Sequence, residues 1–393
     1  MTNKPWHKDT LSVRGGLRRS QFDETSEGLF LNSGYVYPSA EDAEAAFKGD
    51  LERFVYSRFG NPTVAMLQDR LAALEGAEAG LVTGTGMAAM FAAVASVLNA
   101  GDRIVASRAL FGACYSIIDQ VLPRWGVERE FVDGTSLEAW QKALSRPAQI
   151  VFLESPSNPM LDIVDIKAVA EMAHAAGAMV VVDNVFATPT GQSPIELGAD
   201  VVMYSLTKFH DGHGRVMGGA LLGRDEFING DLLKFFRMSG PVISPFNAWV
   251  ILKSLESMSL RVERQARNAA RIAAMLADHP MIDAMRYPHH PSHPQHELAM
   301  RQMNHGGPLV TFNVKGGKPA AFAMMNALEV IDISNNLGDS KTLICHPYST
   351  THSSLSEAER MDMGITEGTA RLSAGVEHID DLIGDLTAAL DKA

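Results

Sequence analysis

With 393 residues the chain is long enough for a large buried core, and because single cores stop growing at about 250–300 residues it should hold one large domain and a smaller companion. A hydrophobic share of 46% against 20% charged residues excludes a disordered chain, and a formal charge of −12 argues against nucleic acid or an anionic membrane as a partner. The two cysteines, Cys114 and Cys345, cannot build a disulfide framework, the start "MTNKPWHKDT" has no apolar stretch, and no window approaches the roughly 20 apolar residues of a membrane span, so a cytoplasmic location is expected.

In chain order, residues 1–60 contain "NSGYVYPSA" and "RFVYSRFGNPT" and read as an extended arm with turns. Residues 61–250 alternate short apolar runs with helical patterns. The runs are "GLVTG" (80–84), "RIVAS" (103–107), "REFVD" (129–133), "QIVFLES" (149–155), "AMVVVDN" (178–184), "DVVMYS" (200–205) and "GGALLG" (218–223). Between them, "DIKAVAEMAHAAG" (165–177) repeats its apolar residues at three- and four-residue steps and ends at Gly177. Strands apolar on both faces and alternating with helices predict an α/β domain with a mainly parallel, seven-stranded sheet covered on both sides. Residues 251–393 follow another pattern. A long helical stretch beginning near 247 and running to 280 leads to strand-like "PLVTFNVKGG" (308–317), a further helix and "ARLSAG" (370–375), which predicts a smaller α+β domain.

Ligands of parallel α/β sheets bind beyond the carboxyl ends of the strands, so the residues just after each run carry the chemistry. After the first run, "TGTGMAAMFAAVASVL" passes through glycines into a helix, whose start is an anion site. Gly84, Gly86 and Ala89 also fit a dinucleotide fingerprint, but the next strand ends in Ser107 and Arg108 rather than an acid, which suits a phosphate monoester better than NAD. Asp183 closes an apolar strand, where a carboxylate is costly unless paired. It could cap a turn, or it could face a protonated ring nitrogen. One strand later, Ser205, Thr207 and Lys208 place two hydroxyls and an amine at one turn. A desolvated amine becomes nucleophilic, as Schiff-base formation requires. Phosphate cradle, acid and lysine together describe a pyridoxal 5′-phosphate (PLP) site.

The motifs "VYSRFGNPT" (55–63), "ESPSNP" (154–159), "VVVDN" (180–184), "YSLTKFHDGH" (204–213), "SHPQH" (292–296), "NNLGDSKTLICHPYSTTH" (335–352) and "ARLSAGVEHIDDL" (370–382) resemble, in order and along nearly the whole chain, the Cys/Met-metabolism family of PLP enzymes. The resemblance implies fold type I, the aspartate-aminotransferase-like fold. Lys208 would carry the cofactor and shuttle protons, Asp183 would pair with the pyridine nitrogen, and Gly86, Met87, Ser205 and Thr207 would hold the phosphate. Tyr56 and Arg58 would reach in from a neighbouring subunit, so a homotetramer built as a dimer of dimers is expected. Asn158 would contact the ring hydroxyl, and Arg371 would clamp the substrate α-carboxylate, a task that suits its bidentate fork. Phe111, before Gly112, stands where the family usually has a stacking tyrosine.

The departures narrow the activity that the resemblance implies. Phe111 cannot act as an acid or base, which favours expulsion of a carboxylate and hence an O-acylhomoserine substrate. Asn336, Asp339 and Lys341 replace the S-L-G-G-x-E-S-L pattern of lyases and cystathionine synthases, and Ala113 stands where methionine γ-lyases carry cysteine. "VFATPTGQSPIELGADVVMYSLTKFHDGHGR", "SGPVISPFNAW" and "PSHPQHELA" are similar to the branch that converts O-succinylhomoserine and sulfide to homocysteine and succinate. An acetyl ester, cysteine as the sulfur donor, a lyase reaction, a non-catalytic PLP-binding protein and an NAD(P) oxidoreductase stay open as alternatives. No metal is expected: "PHHPSHPQH" (288–296) is broken by prolines and lacks further ligands.

Overall fold

The computed structural model describes residues 6–353 and 355–393. Seven strands, β1 (Ala79–Thr83), β2 (Arg103–Ser107), β3 (Glu128–Val132), β4 (Ile150–Glu154), β5 (Met179–Asp183), β6 (Val201–Ser205) and β7 (Gly219–Gly223), form one sheet in the order β1-β7-β6-β5-β4-β2-β3. All neighbours pair in parallel except β7, which runs antiparallel to β6 and β1. Side chains alternate between the faces of a strand, and both faces are buried here. Val151 and Leu153 of β4 join the core that holds Val180, Val182 and Trp140. Their neighbours Ile150 and Phe152 join the opposite core with Ala89, Met90 and Val201.

Local signals explain the helices that cover this sheet. Pro62–Glu75 starts at Asn61, whose side chain accepts the Thr63 N–H at 3.0 Å, has Pro62 in its first turn and stops at Gly76 in the left-handed region. Ile166–Ala175 starts at Asp165, which accepts the Ala168 N–H at 3.0 Å.

Five further strands, β8 (Ile282–Arg286), β9 (Leu309–Val314), β10 (Asp332–Ile333), β11 (Leu343–Cys345) and β12 (Thr369–Ser373), form a second sheet in the order β10-β11-β12-β9-β8 over its own apolar core. The helical stretch from 247 to 280 is two helices, Pro245–Leu255 and Met258–Ala277. The break falls where Arg261 turns back to donate to the carbonyls of Ser254 and Phe209, both at 3.0 Å, so a tertiary contact takes a carbonyl at the helix end. The boundary drawn between 250 and 251 falls inside the first of these helices.

Residues 6–60 are more structured than an extended arm. Helices Lys8–Arg14 and Ala40–Lys48 lie within them, the second started by the Ser39 side chain on the Asp42 N–H at 3.0 Å and closed by left-handed Gly49. A buried charge cluster ties the segment down. The Arg70 guanidinium, fully buried, donates to Glu27 at 2.5 Å and to the Gly15 carbonyl at 2.8 Å, and Lys253 reaches Glu27 at 2.9 Å. Glu27→Ala leaves that guanidinium buried without its carboxylate, and thermal or urea melts should record a loss of about 3–5 kcal/mol.

Candidate active site

Parallel strands β5 and β6 end at the same edge of the sheet, and at that edge lies a cavity of about 260 Å³. Gly86, Met87, Phe111, Asn158, Asp183, Ser205, Thr207, Lys208 and Arg371 line it together. The smaller sheet supplies Arg371 through β12. Tyr56 and Arg58 are not among the lining residues; Arg58 instead donates to the Arg237 carbonyl and sits 4.6 Å from the Phe59 ring centroid.

The first turn of the helix Gly86–Ala95 forms one wall. Its leading N–H groups, those of Gly86 and Met87, have no carbonyl partner within the helix, so they point at whatever lies beyond it. Glycine is required there: a Cβ on Gly86 would stand 2.8 Å from Cβ of Ser205 and 2.9 Å from its Oγ. Thr207 Oγ1 accepts the Gly218 N–H at 3.2 Å and donates to the same residue's carbonyl at 3.3 Å, both long bonds. Two free N–H groups, a helix dipole and two hydroxyls at one spot fit a phosphate monoester.

Lys208 donates from Nζ to Oδ1 of Asn336. Burial, then the charge of Arg371, pushes the amine down to about 8. The chain approaches tightly behind it: Gly338 has φ +79°, and a Cβ there would come within 2.8 Å of the Lys208 carbonyl carbon. Across the cavity Asp183 is 5% exposed, and burial raises its carboxyl to about 7, opposed by the Val185 N–H that donates to Oδ1 at 3.0 Å. One oxygen thus makes the turn-capping bond foreseen as the plain alternative, while the residue still lines the cavity. Arg371 donates to Asn158 Oδ1 at 2.8 Å and to the Asn335 carbonyl at 3.2 Å, and its buried Nε has no protein partner among the described residues. An orphaned buried donor is costly, and it suits a carboxylate arriving from outside.

Pyridoxal 5′-phosphate fits this donor set, having a phosphate for the helix start, an aldehyde for the amine and a ring nitrogen for the carboxylate. A family model described as "Cys/Met metabolism PLP-dependent enzyme" matches residues 9–391. The chain belongs to that family. Its cofactor is therefore PLP, and its fold is that of the type I PLP enzymes. Members similar to it include an O-succinylhomoserine sulfhydrylase of Mycobacterium tuberculosis, 52% identical over 97% of this chain and 95% of the relative. Another of the same name from Pseudomonas aeruginosa is 44% identical over 97% and 94%. Among solved structures, a putative O-acetylhomoserine (thiol)-lyase of Campylobacter jejuni carrying N′-pyridoxyl-lysine-5′-monophosphate superposes with a TM-score of 0.94 at 31% identity, covering 98% of this chain and all of that one.

Sequence reasoning did not single out three residues at this Cys/Met-family site. Glu154, at the end of β4, lines the cavity and accepts the Phe111 N–H at 2.6 Å. The rule that drew attention to Asp183, a carboxylate ending an apolar strand, applied to it equally. Asn336 stood out only as a departure in a motif; its hold on Lys208 spans 128 positions and leaves no local trace. His352 is 1% exposed, pushed down to about 4 by burial and then by Arg371, and shares a 2.8 Å hydrogen bond with the Thr351 hydroxyl beside the cavity. Of the histidines in 288–296, His293 lies with its ring 3.0 Å from the Leu161 carbonyl and His290 pairs with the Ser292 hydroxyl at 2.7 Å.

The lowered Lys208 value has a pH consequence. Only the neutral amine attacks an aldehyde, so covalent uptake of PLP by the apo-protein should speed up as pH rises through about 8, with roughly a tenth of the amine already neutral at pH 7. A rate that keeps climbing about tenfold per pH unit to about pH 10, instead of levelling off above about 8, would mean an ordinary, solvated lysine. Borohydride reduction followed by peptide mass analysis should find the cofactor on the Lys208 peptide, and none on Lys208→Ala.

Proposed function

We propose that the protein replaces the γ-acyloxy group of O-succinyl-L-homoserine with sulfide, releasing L-homocysteine and succinate. The observation that carries this reading is the meeting of Lys208, Asp183 and Arg371 on one cavity, in a chain 52% identical along its length to a sulfhydrylase of that ester. PLP bound there supplies a covalent hold on the substrate amine and an electron sink for proton removal at Cα and Cβ.

The residues of the chain do the rest. Arg371 takes the α-carboxylate with paired N–H groups and so orients Cα toward Lys208. Lys208 Nζ, with a pKa of about 8, removes and returns protons near neutral pH, and Asn336 Oδ1 steadies it between steps. Asp183 holds the ring nitrogen's proton. Asn158, already bonded to Arg371, links the ring hydroxyl to the carboxylate clamp. Phe111, 39% exposed at the cavity, would cover the cofactor with a bare ring and has no proton to lend to a departing group; succinate needs such help less than a thiolate.

We assign Tyr56 and Arg58 to the phosphate of a neighbouring copy. Both lie off their own cavity, in a 1–60 segment that exposes Phe22, Leu31, Val36 and Phe47. A complete site then needs two chains, and the proposed assembly is a homotetramer made of two such dimers. No helix among the described residues is long and apolar enough to cross a membrane, and the proposed location is the cytoplasm.

With purified PLP-loaded protein and sulfide, homocysteine should form faster from O-succinyl- than from O-acetylhomoserine. Cystathionine formed in preference when cysteine replaces sulfide would assign the synthase reaction instead. The intersubunit role has its own test. Lys208→Ala and Arg58→Ala chains, each inactive alone, should regain activity when co-assembled, because a mixed dimer then holds one intact site. No recovery would place Arg58 at its own chain's cavity.

A further inference from the structure

We propose that Glu154 is a positioning residue which keeps a proton in the working enzyme: it clamps the backbone of Phe111 and leaves Asp183 as the only anion facing the ring nitrogen of PLP. The inference rests on the reading of Asp183 as the partner of that nitrogen, and not on which ester is the substrate.

Strand register creates the situation. Glu154 and Asp183 are direct partners at the ends of β4 and β5, both line the cavity, and they are 4% and 5% exposed. Among the described residues no lysine, arginine or histidine is in ion-pair contact with either. Two carboxylates sharing a dry site do not both ionise. The question is which one keeps the proton. Asp183 has the Val185 N–H at 3.0 Å and, in the loaded enzyme, gains a protonated ring nitrogen. Glu154 has the Phe111 N–H at 2.6 Å, help from the Asn158 backbone N–H and the more distant charge of Arg371, but no cation in contact with it. Burial and then the charge of Asp183 drive Glu154 well above the usual carboxylate range.

The surroundings on every side leave that balance in place. Lys208, Arg371 and Cys114 share the cofactor cavity. On its other side Glu154 borders a separate cleft of about 380 Å³ with Arg108, Arg286, Asp133 and Asp162, where positive and negative groups offset one another and Arg108 is committed to Asp362. A protonated Glu154 still accepts the Phe111 N–H on Oε2, the atom that already holds it. That hold matters because Phe111 has no hydroxyl to anchor its ring from the tip. The backbone bond, at the start of the short helix Gly112–Ser116, sets where the ring stands.

Infrared difference spectra of the PLP-loaded protein at pH 7, wild type minus Glu154→Gln, provide the direct test. A carboxylic-acid C=O band in the wild type supports the proposal; carboxylate bands in its place overturn it. Glu154→Gln, a neutral isostere, should bind PLP within about twofold of the wild type, whereas a loss of about tenfold would mean that a charge had been removed. Glu154→Leu, with its fold checked by far-UV circular dichroism, should weaken PLP by about tenfold or more and change the visible circular dichroism of the bound cofactor, because the Phe111 N–H loses its acceptor. Unaltered visible dichroism in that variant overturns the clamp. Should it fail to fold, the infrared band alone decides. Asp183→Asn separates the two readings: unchanged PLP affinity there removes the role of Asp183 and the proposal with it, while leaving the Lys208 chemistry and the choice of ester untouched.

Discussion

Strands β4, β5 and β6 run side by side in one direction, with apolar side chains on both faces, and they stop along one edge of the sheet. Polar groups at that edge cannot retreat into the core and are only partly reached by water. Glu154, Asp183 and Ser205 therefore stand in a row, and each must find a partner or change its protonation. Lys208 follows within three residues of Ser205, so the amine enters the same dry space and loses part of its charge. Three features of the site follow from this edge: an amine with lowered proton affinity, a carboxyl raised by burial, and a helix start with unused N–H groups.

The second sheet completes what the first cannot. Arg371 sits in the middle of β12, paired with Cys345 on one side and Thr311 on the other, and its guanidinium crosses to Asn158 on the large domain. Residues 335–337 come with it, bringing Asn336 to the lysine and Leu337 to the cavity wall. Two basic groups, Lys208 and Arg371, thus face one cavity. The charge of Arg371 in the bare protein, after burial, helps to lower the proton affinity of the Lys208 amine.

Within the family, substitutions at a few positions give this chain its own character. Phenylalanine at 111 removes a phenol from the mouth of the site, and the backbone bond to Glu154 keeps the ring in place without one. Asparagine at 336 replaces the smaller serine of the usual motif and occupies the lysine amine directly. The missing phenol at 111 lowers the stock of protons available to a leaving group. An ester, whose departing carboxylate needs none, is the substrate such a site serves best.

The seven apolar runs, the strand-to-helix turn at Gly86 and the spacing of Asp183 and Lys208 were legible in the sequence because each is set by local periodicity or by adjacent residues. So were Asp183, Ser205, Thr207 and Lys208 as residues of one cavity, since they fall at or directly after strand ends in a parallel sheet. The helices in residues 8–14 and 40–48 were hidden by a segment with little alternation, and at the break near 257 Arg261 takes the Ser254 carbonyl while also reaching that of Phe209. Only tertiary structure could pair Asn336 with Lys208, join Arg371 to Asn158 and set Glu154 against Asp183, since these contacts connect residues from 29 to 213 positions apart. Hydrogen bonding at that range depends on sheet order and domain packing, which no window of the chain encodes. The sequence by itself determined which chemical groups follow which apolar run along the chain; folding decided how readily each of those groups carries a charge, because burial and the nearest neighbour set each proton's affinity.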